Sequence, residues 1–205
     1  MTDKAPLRPI LWTERTTEET IQVYTDWADT YDSDLATRGY RTPMRIAQAL
    51  QPYKDELTGP ILDFGCGTGL SGIVLAEAGY RNLHGTDITA EMLKIAETKN
   101  VYDKIWQSSV GDISVSPGDY NLIVAAGVIS LGAAQPEILS DVLDVLDIGG
   151  LLAFSFNDPT LENKSYDAAL DAEVSAGRAK VLFREHGPHL DDPAMGSDVI
   201  ILRRT

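Results

Sequence analysis

The chain has 205 residues, of which 43% are hydrophobic and 23% charged, values typical of one globular domain with a substantial core. Its formal net charge of −14 gives no general attraction to phosphate backbones or anionic lipid, so neither nucleic acid nor a membrane is an expected partner. With one cysteine, the chain cannot form an intrachain disulfide. The N-terminus lacks the apolar core of a signal peptide, and no segment is apolar enough to span a bilayer. Together these observations predict a cytoplasmic protein.

Two helices are predicted before the first strand. Thr16 or Thr17 can cap the first, with Glu18 and Glu19 favourable in its first turn, and the apolar pattern predicts an end near residues 31–32. The second begins around Thr42-Pro43 and stops before Pro52.

From residue 61 the pattern alternates between strands and helices. Strands are predicted at 61–64, 82–86, 105–110, 120–126 and 151–156, and helices at 70–78, after Thr89, at 135–146 and at 162–175. Two further strands, 179–184 and 198–203, flank a predicted loop that contains Gly187, Pro188, Pro193 and Gly196. This alternation predicts a three-layer α/β domain with a mainly parallel sheet and an antiparallel hairpin at one edge.

The first strand leads directly into a glycine-rich turn, Asp63-Phe64-Gly65-Cys66-Gly67-Thr68-Gly69. Glycines permit unusual backbone angles and close ligand approach, and the next helix supplies unpaired N–H groups. Ligands of open α/β sheets bind at this edge, beyond the carboxyl ends of the strands.

Two acidic residues follow the next strands at matching positions. Asp87 ends the second strand, where a carboxylate can accept hydrogen bonds from ribose hydroxyls. Asp112 follows Gly111 after the third strand, where it can accept a bond from an exocyclic amine such as that of adenine. Apolar residues that can cover an adenine face surround them: Ile88, Met92 and Ile113.

The glycine turn, Asp87 and Gly111-Asp112-Ile113 together resemble motifs of the class I S-adenosylmethionine (SAM)-dependent methyltransferases. The resemblance covers residues 59–204 and implies strand order 3-2-1-4-5-7-6, with strand 7 antiparallel, and SAM as the cofactor. It implies one domain over residues 1–205, with residues 1–58 as a helical lid region and 59–205 as the SAM-binding core. The expected cofactor-binding residues are Tyr31, Asp63, Gly65, Cys66, Gly67, Thr68, Gly69, Leu70, Asp87, Ile88, Met92, Gly111, Asp112, Ile113 and Ala126.

Other segments resemble narrower groups of that family. Tyr24-x-x-Trp27-Ala28-x-x-Tyr31-Asp32 is similar to the lid of small-molecule methyltransferases, and residues 126–130 and 163–170 resemble the Williams–Beuren-region methyltransferase-like branch. The resemblance and the acidic composition predict methyl transfer to a small-molecule acceptor. The acceptor pocket is expected between residues 24–40, the loop after Ala126, residues 157–158 and the loop 186–197.

The same motifs are compatible with other functions. Gly67-x-Gly69-x-x-Gly72 with Asp87 also fits an NAD-dependent oxidoreductase. Nothing in the sequence excludes a SAM-binding module without catalysis. No catalytic residue is assigned; His186 and His189 are candidates for a general base because they lie near the final hairpin turn. Cys66 has no evident His or Asn partner and is interpreted as a small residue beside the cofactor. No metal site is predicted, and the oligomeric state is not assigned.

Overall fold

The protein is described by a computed structural model that covers residues 9–109 and 113–205. Its strands are β1 (Ile61–Phe64), β2 (Leu83–Asp87), β3 (Lys104–Gln107), β4 (Tyr120–Ala125), β5 (Leu146–Asn157), β6 (Ala179–Asp191) and β7 (Ala194–Arg204). The helices are α1 (Thr17–Thr37), α2 (Thr42–Leu50), α3 (Leu70–Glu77), α4 (Ala90–Thr98), α5 (Ile138–Val145), α6 (Asp158–Glu162) and α7 (Lys164–Ser175). Two short 3-10 helices are Pro9–Trp12 and Gln51–Glu56.

The seven strands form one sheet in the order β3-β2-β1-β4-β5-β7-β6. The first five strands are parallel, and β7 is antiparallel to both β5 and β6. The predicted strand order and the antiparallel position of strand 7 are therefore confirmed.

Side chains of the central strands alternate between two apolar layers, as the pleat requires. Leu62 and Ile123 pack towards α5 and α7, in a cluster that includes Leu139 and Tyr166. Their chain neighbours face the opposite layer: Ile61 packs with residues of α2 and α3. Asp63 follows Ile61 by two positions, so its carboxylate points into the α3 layer and not into the α5 layer.

The two N-terminal helices pack onto this core. Of the two predicted caps, Thr16 is the N-cap of the first helix. It forms a capping box, in which the Thr16 hydroxyl accepts a bond from Glu19 N and the Glu19 carboxylate accepts one from Thr16 N. The helix continues to Thr37, beyond the predicted end near residue 31, because Leu35 is buried and the next breaker is Gly39 at φ +67°. Helix α1 contacts α4, and α2 contacts α3, β5 and β7.

Several predicted element boundaries were wrong. The predicted 186–197 loop is mostly strand: β6 runs to Asp191 and β7 starts at Ala194, which leaves a two-residue turn. Strand β5 begins at Leu146 and passes through Gly149 and Gly150, where the sequence predicted the end of a helix. Asn163 divides the predicted 162–175 helix into α6 and α7. Over the described residues, no helix has the length and apolar character needed to cross a membrane.

Candidate functional site

The glycine turn adopts a conformation that its glycines make possible. Gly65, Gly67 and Gly69 have φ values of +67°, +54° and +89°, in the left-handed region that side chains disfavour. A Cβ on Gly65 would collide with a methyl group of Val128, so this position also requires the absence of a side chain. Gly69 is the N-cap of α3, and the turn therefore places the first N–H groups of α3 beside the carboxyl end of β1.

Asp87 joins the end of β2 to this turn. Its Oδ2 accepts a hydrogen bond from Gly67 N at 2.9 Å, and its Oδ1 accepts one from Thr89 N at 2.8 Å. Burial raises the pKa of the Asp87 carboxyl, although both backbone N–H groups act in the opposite direction. Each carboxylate oxygen keeps a further lone pair, so Asp87 can still accept bonds from a ligand.

A cavity of about 560 Å³ opens above the carboxyl ends of the strands, a volume suited to a small-molecule ligand. Eight of the predicted cofactor-binding residues line it: Tyr31, Gly65, Gly67, Asp87, Ile88, Met92, Ile113 and Ala126. Five others are not on its wall: Asp63, Cys66, Thr68, Gly69 and Leu70. The remaining two, Gly111 and Asp112, lie outside the described residues.

Asp63 lies under the glycine turn. It is 1% exposed, and its Oδ2 accepts hydrogen bonds from Ser71 Oγ at 2.5 Å and Tyr102 Oη at 2.6 Å. Its Oδ1 is buried with no hydrogen-bond partner among the described residues. Burial raises the pKa of Asp63 to about 6. This carboxyl therefore has unused capacity to bind a donor or a cation.

Cys66 is buried near the same carboxylate. Burial and the neighbouring Asp63 raise the pKa of the Cys66 thiol well above its ordinary value. A thiol that stays protonated is a poor nucleophile, which agrees with its interpretation as a small packing residue.

Helix α1 is tied to the glycine turn at one end. Thr68 Oγ1 donates to Asp32 Oδ1 at 2.5 Å, and Lys99 Nζ pairs with Asp32 Oδ2 at 2.5 Å. Further along α1, Thr25 Oγ1 donates to Glu91 in the first turn of α4. Because of these contacts, the helix crosses the cavity close to the end of β2.

The opposite end of α1 closes against the loop between β4 and α5. The Arg15 guanidinium and the Thr20 hydroxyl both donate to the carbonyl of Gly132. Arg15 also interacts with the Tyr24 hydroxyl, and both side chains line the cavity. The sequence motif with Tyr24 and Tyr31 indicated that this helix covers the site, but no sequence signal pointed to Arg15.

Neither candidate histidine lies on the cavity wall. His189 is 7% exposed, and its Nδ1 lies 2.8 Å from Thr42 Oγ1; burial lowers the pKa of His189 to about 4. His186 is exposed, with its Nδ1 2.9 Å from Asp198 Oδ1. Both histidines lie on β6 and not in a flexible loop, and neither was brought to the cavity as the sequence suggested.

The charged groups on the cavity wall are Arg15, Glu18, Asp87, Glu137 and Asp141. Among the described lining residues there is no histidine, lysine or cysteine. Residues 9–109 and 113–205 also contain no group of three or more His, Cys, Asp or Glu side chains arranged to hold a metal ion.

Known proteins match both the sequence and the fold. Residues 61–150 match a family model described as a methyltransferase domain. Methyltransferase-like protein 27 of Homo sapiens is 31% identical over 161 residues, which cover 75% of this chain and 64% of the human protein. The chain thus spans less than two thirds of the length of that relative.

Two solved structures share the fold over most of their lengths. The [4+2]-cyclase SpnF has a TM-score of 0.69 at 13% identity, with 94% of this chain and 98% of SpnF covered. Magnesium protoporphyrin IX methyltransferase from Synechocystis PCC 6803, with bound SAM, has a TM-score of 0.60 at 17% identity, with coverages of 97% and 89%. At these identities the likeness shows the fold.

Proposed function

Because the chain belongs to the class I SAM-dependent methyltransferases, we propose that it transfers the methyl group of SAM to a small-molecule acceptor. The observation that carries the proposal is the cavity beside the glycine turn, with the Asp87 carboxylate on its wall. When bound, SAM supplies a methyl group on positively charged sulfur, which is an intrinsically good leaving group. The protein's main tasks are then to orient the two reactants and to exclude water.

The residues present fit SAM in charge and shape. Asp87 retains lone pairs for ribose hydroxyls, while Ile88, Met92 and Ile113 offer apolar surface for an adenine ring. The unpartnered Oδ1 of Asp63 is suited to the ammonium of the methionine part, through a bridging water or a small shift of the turn. We assign these residues to cofactor binding, together with Tyr31 and the glycine turn.

The acceptor is assigned as a small molecule for two reasons. The cavity is partly enclosed by α1 and the β4–α5 loop, and it mixes apolar side chains with a few polar ones. The net charge of −14 opposes a polyanionic substrate. The described residues of the cavity wall include no histidine, lysine or cysteine. This favours an acceptor whose nucleophilic atom does not need a strong base to remove a proton.

The proposed organisation is one domain, in which residues 1–58 form a lid region over a core at residues 59–205. We also propose a cytoplasmic location, since the buried free thiol of Cys66 beside the site suits a reducing compartment. Cell fractionation with a tagged full-length chain tests this location.

The decisive experiment is to incubate the purified chain with SAM and a panel of small metabolites, and to measure formation of S-adenosylhomocysteine (SAH) and methylated product. Product formation that falls at limiting SAM concentration in the Asp87→Asn variant supports the proposal. SAM binding without any product would instead favour a non-catalytic SAM-binding module, and a preference for NAD would favour an oxidoreductase. Methylation of added RNA or duplex DNA in place of metabolites would contradict the small-molecule assignment.

A further inference from the structure

Helix α1 presents a packed aromatic group over the cavity. The Tyr24 and Tyr31 rings both line the cavity wall, with centroids 6.3 Å apart and planes tilted by 56°. Trp27 supports both: its ring lies 4.6 Å from that of Tyr31 in edge contact and 6.2 Å from that of Tyr24 in a stacked arrangement. Trp27 Nε1 donates to Asp34 at 2.7 Å, which fixes the indole. The two phenols are therefore held in defined orientations.

A third phenol, in the turn between α1 and α2, lies against a residue of this wall. The Tyr40 hydroxyl would lie 3.0 Å from a Cβ placed on Gly127, and Gly127 lines the cavity directly after β4. Gly127 N donates to Ser155 Oγ at 3.1 Å, which fixes this stretch of backbone. Behind Tyr40, the His189 ring makes an edge contact at 5.2 Å. We refer to Tyr24, Tyr31 and Tyr40 as the tyrosine cage.

The surroundings of the cage favour positive charge. Burial raises the pKa of all three phenols, so they present neutral hydroxyls and aromatic faces. The carboxylates that interact with these hydroxyls include Asp63 and Asp87. His189 adds no positive charge at neutral pH because burial lowers its pKa to about 4. The opposing cation is Arg15, whose guanidinium is engaged by the Gly132 carbonyl and the Tyr24 hydroxyl.

We propose that the tyrosine cage recognises the positive charge of the sulfonium, so that the site binds SAM in preference to the neutral product SAH. This inference rests on the proposed function. Aromatic faces and oxygen lone pairs attract a cation, and the attraction is strongest where water is excluded. A preference of about tenfold is expected from a desolvated cation–aromatic contact. Such a site would release its product readily once the methyl group, and with it the charge, has been transferred.

The test is calorimetric binding of three ligands by the full chain: SAM, SAH and sinefungin, whose ammonium replaces the sulfonium methyl group. We expect SAM and sinefungin to bind about tenfold more tightly than SAH. Tyr31→Leu and Tyr40→Leu should each reduce the SAM-to-SAH affinity ratio by about threefold or more, while Tyr31→Phe, which keeps the ring, should reduce it less. The readout is this ratio, because loss of packing alone would weaken SAM and SAH together.

Tyr53→Phe, in the 3-10 helix Gln51–Glu56 away from the cavity, is the matched control and should leave the ratio unchanged. Near-ultraviolet circular dichroism confirms that each variant is folded. Equal or tighter binding of SAH by the wild-type chain would overturn the inference, as would variants that weaken all three ligands by the same factor. Failure of all three ligands to bind would instead contradict the proposed function.

Discussion

Substitution of Asp87 tests the candidate site at its best-defined contact. Asp87→Asn keeps the shape of the side chain but removes its charge, and Asp87→Ala removes the acceptor altogether. In the wild-type chain this carboxylate accepts backbone bonds from Gly67 and Thr89 while it lines the cavity. The two variants should therefore affect both ligand binding and the geometry of the glycine turn.

The magnitudes follow from these contacts. Loss of a charged acceptor for ribose hydroxyls costs about 1.5–3 kcal/mol, which weakens SAM binding roughly ten- to a hundredfold. Asp87→Ala also leaves the N–H groups of Gly67 and Thr89 without their acceptor, at about 1–3 kcal/mol for each donor that water does not reach. Typical proteins have free energies of unfolding of about 5–15 kcal/mol, which exceed this loss, so both variants should remain folded. The alanine variant should melt at a lower temperature than the asparagine variant.

Calorimetric titration with SAM and SAH measures the affinity, and a thermal scan measures the stability. The raised pKa of Asp87 adds a second test: as the pH falls towards that pKa, the wild-type carboxyl gains a proton, loses acceptor capacity and binds SAM more weakly. The asparagine variant should lack this component. Glu97→Gln, an exposed change on α4, is the control. Unchanged SAM affinity in a folded Asp87→Ala variant would refute the assignment of Asp87 to the site.

Three further predictions concern the same region. SAM and SAH at 100 times their dissociation constants should each stabilise the fold by about 2.7 kcal/mol in a thermal scan, whereas NAD should not; a shift with NAD alone would reverse the cofactor assignment. Burial raises the pKa of Asp63 from 3.8, its value in the unfolded chain, to about 6 in the folded chain. The protonated carboxyl therefore contributes its full stabilisation below the unfolded pKa, and this stabilisation is lost as the pH rises through about 6. Denaturant unfolding should therefore show Asp63→Asn gaining on the wild type by on the order of 3 kcal/mol between pH 4 and pH 7, and a constant difference would contradict the raised pKa. The first half of α1 should exchange amide hydrogens faster without SAM than with it, while the Asp32 end stays protected by Thr68 and Lys99; equal exchange would indicate a permanently packed helix.

The sequence predicted best those features that depend on neighbouring residues. Strand β1 was predicted at its observed bounds because a short apolar run is followed at once by glycines that break it. The bond from Gly67 N to Asp87 joins two strand ends that the parallel topology brings together, so the spacing of the motifs was sufficient to pair them. The capping box of α1 is likewise contained within four consecutive residues.

Features that depend on distant contacts were not predictable in this way. Gly187, Pro188, Pro193 and Gly196 are typical of a loop, yet residues 185–191 extend β6 because β7 and the α1–α2 turn pair with them. Arg41 N donates to the His189 carbonyl, and Asp191 N donates to the Arg38 carbonyl. These bonds link segments about 150 positions apart in sequence, as the Arg41–Asp191 ion pair also shows. The same pairing buries His189, which removed it from the cavity wall where the sequence had placed a candidate base.

The candidate site combines residues inside and outside the segment that matches the family model, and this division bears on specificity. The family match at residues 61–150 includes the glycine turn and Asp87, but Tyr24, Tyr31 and Tyr40 lie outside it. A shared fold supports different reactions, as the [4+2]-cyclase SpnF illustrates by its name, so the matched core alone does not determine the acceptor. The wall contributed by α1 and the following turn lies outside the matched segment. Because α1 is held by Thr68 at one end and by Gly132 at the other, changes in its aromatic side chains can alter the acceptor without disturbing the sheet. Substitutions in residues 15–40 should therefore change acceptor selectivity and the SAM-to-SAH affinity ratio, whereas substitutions at the strand ends should weaken the binding of SAM and SAH together.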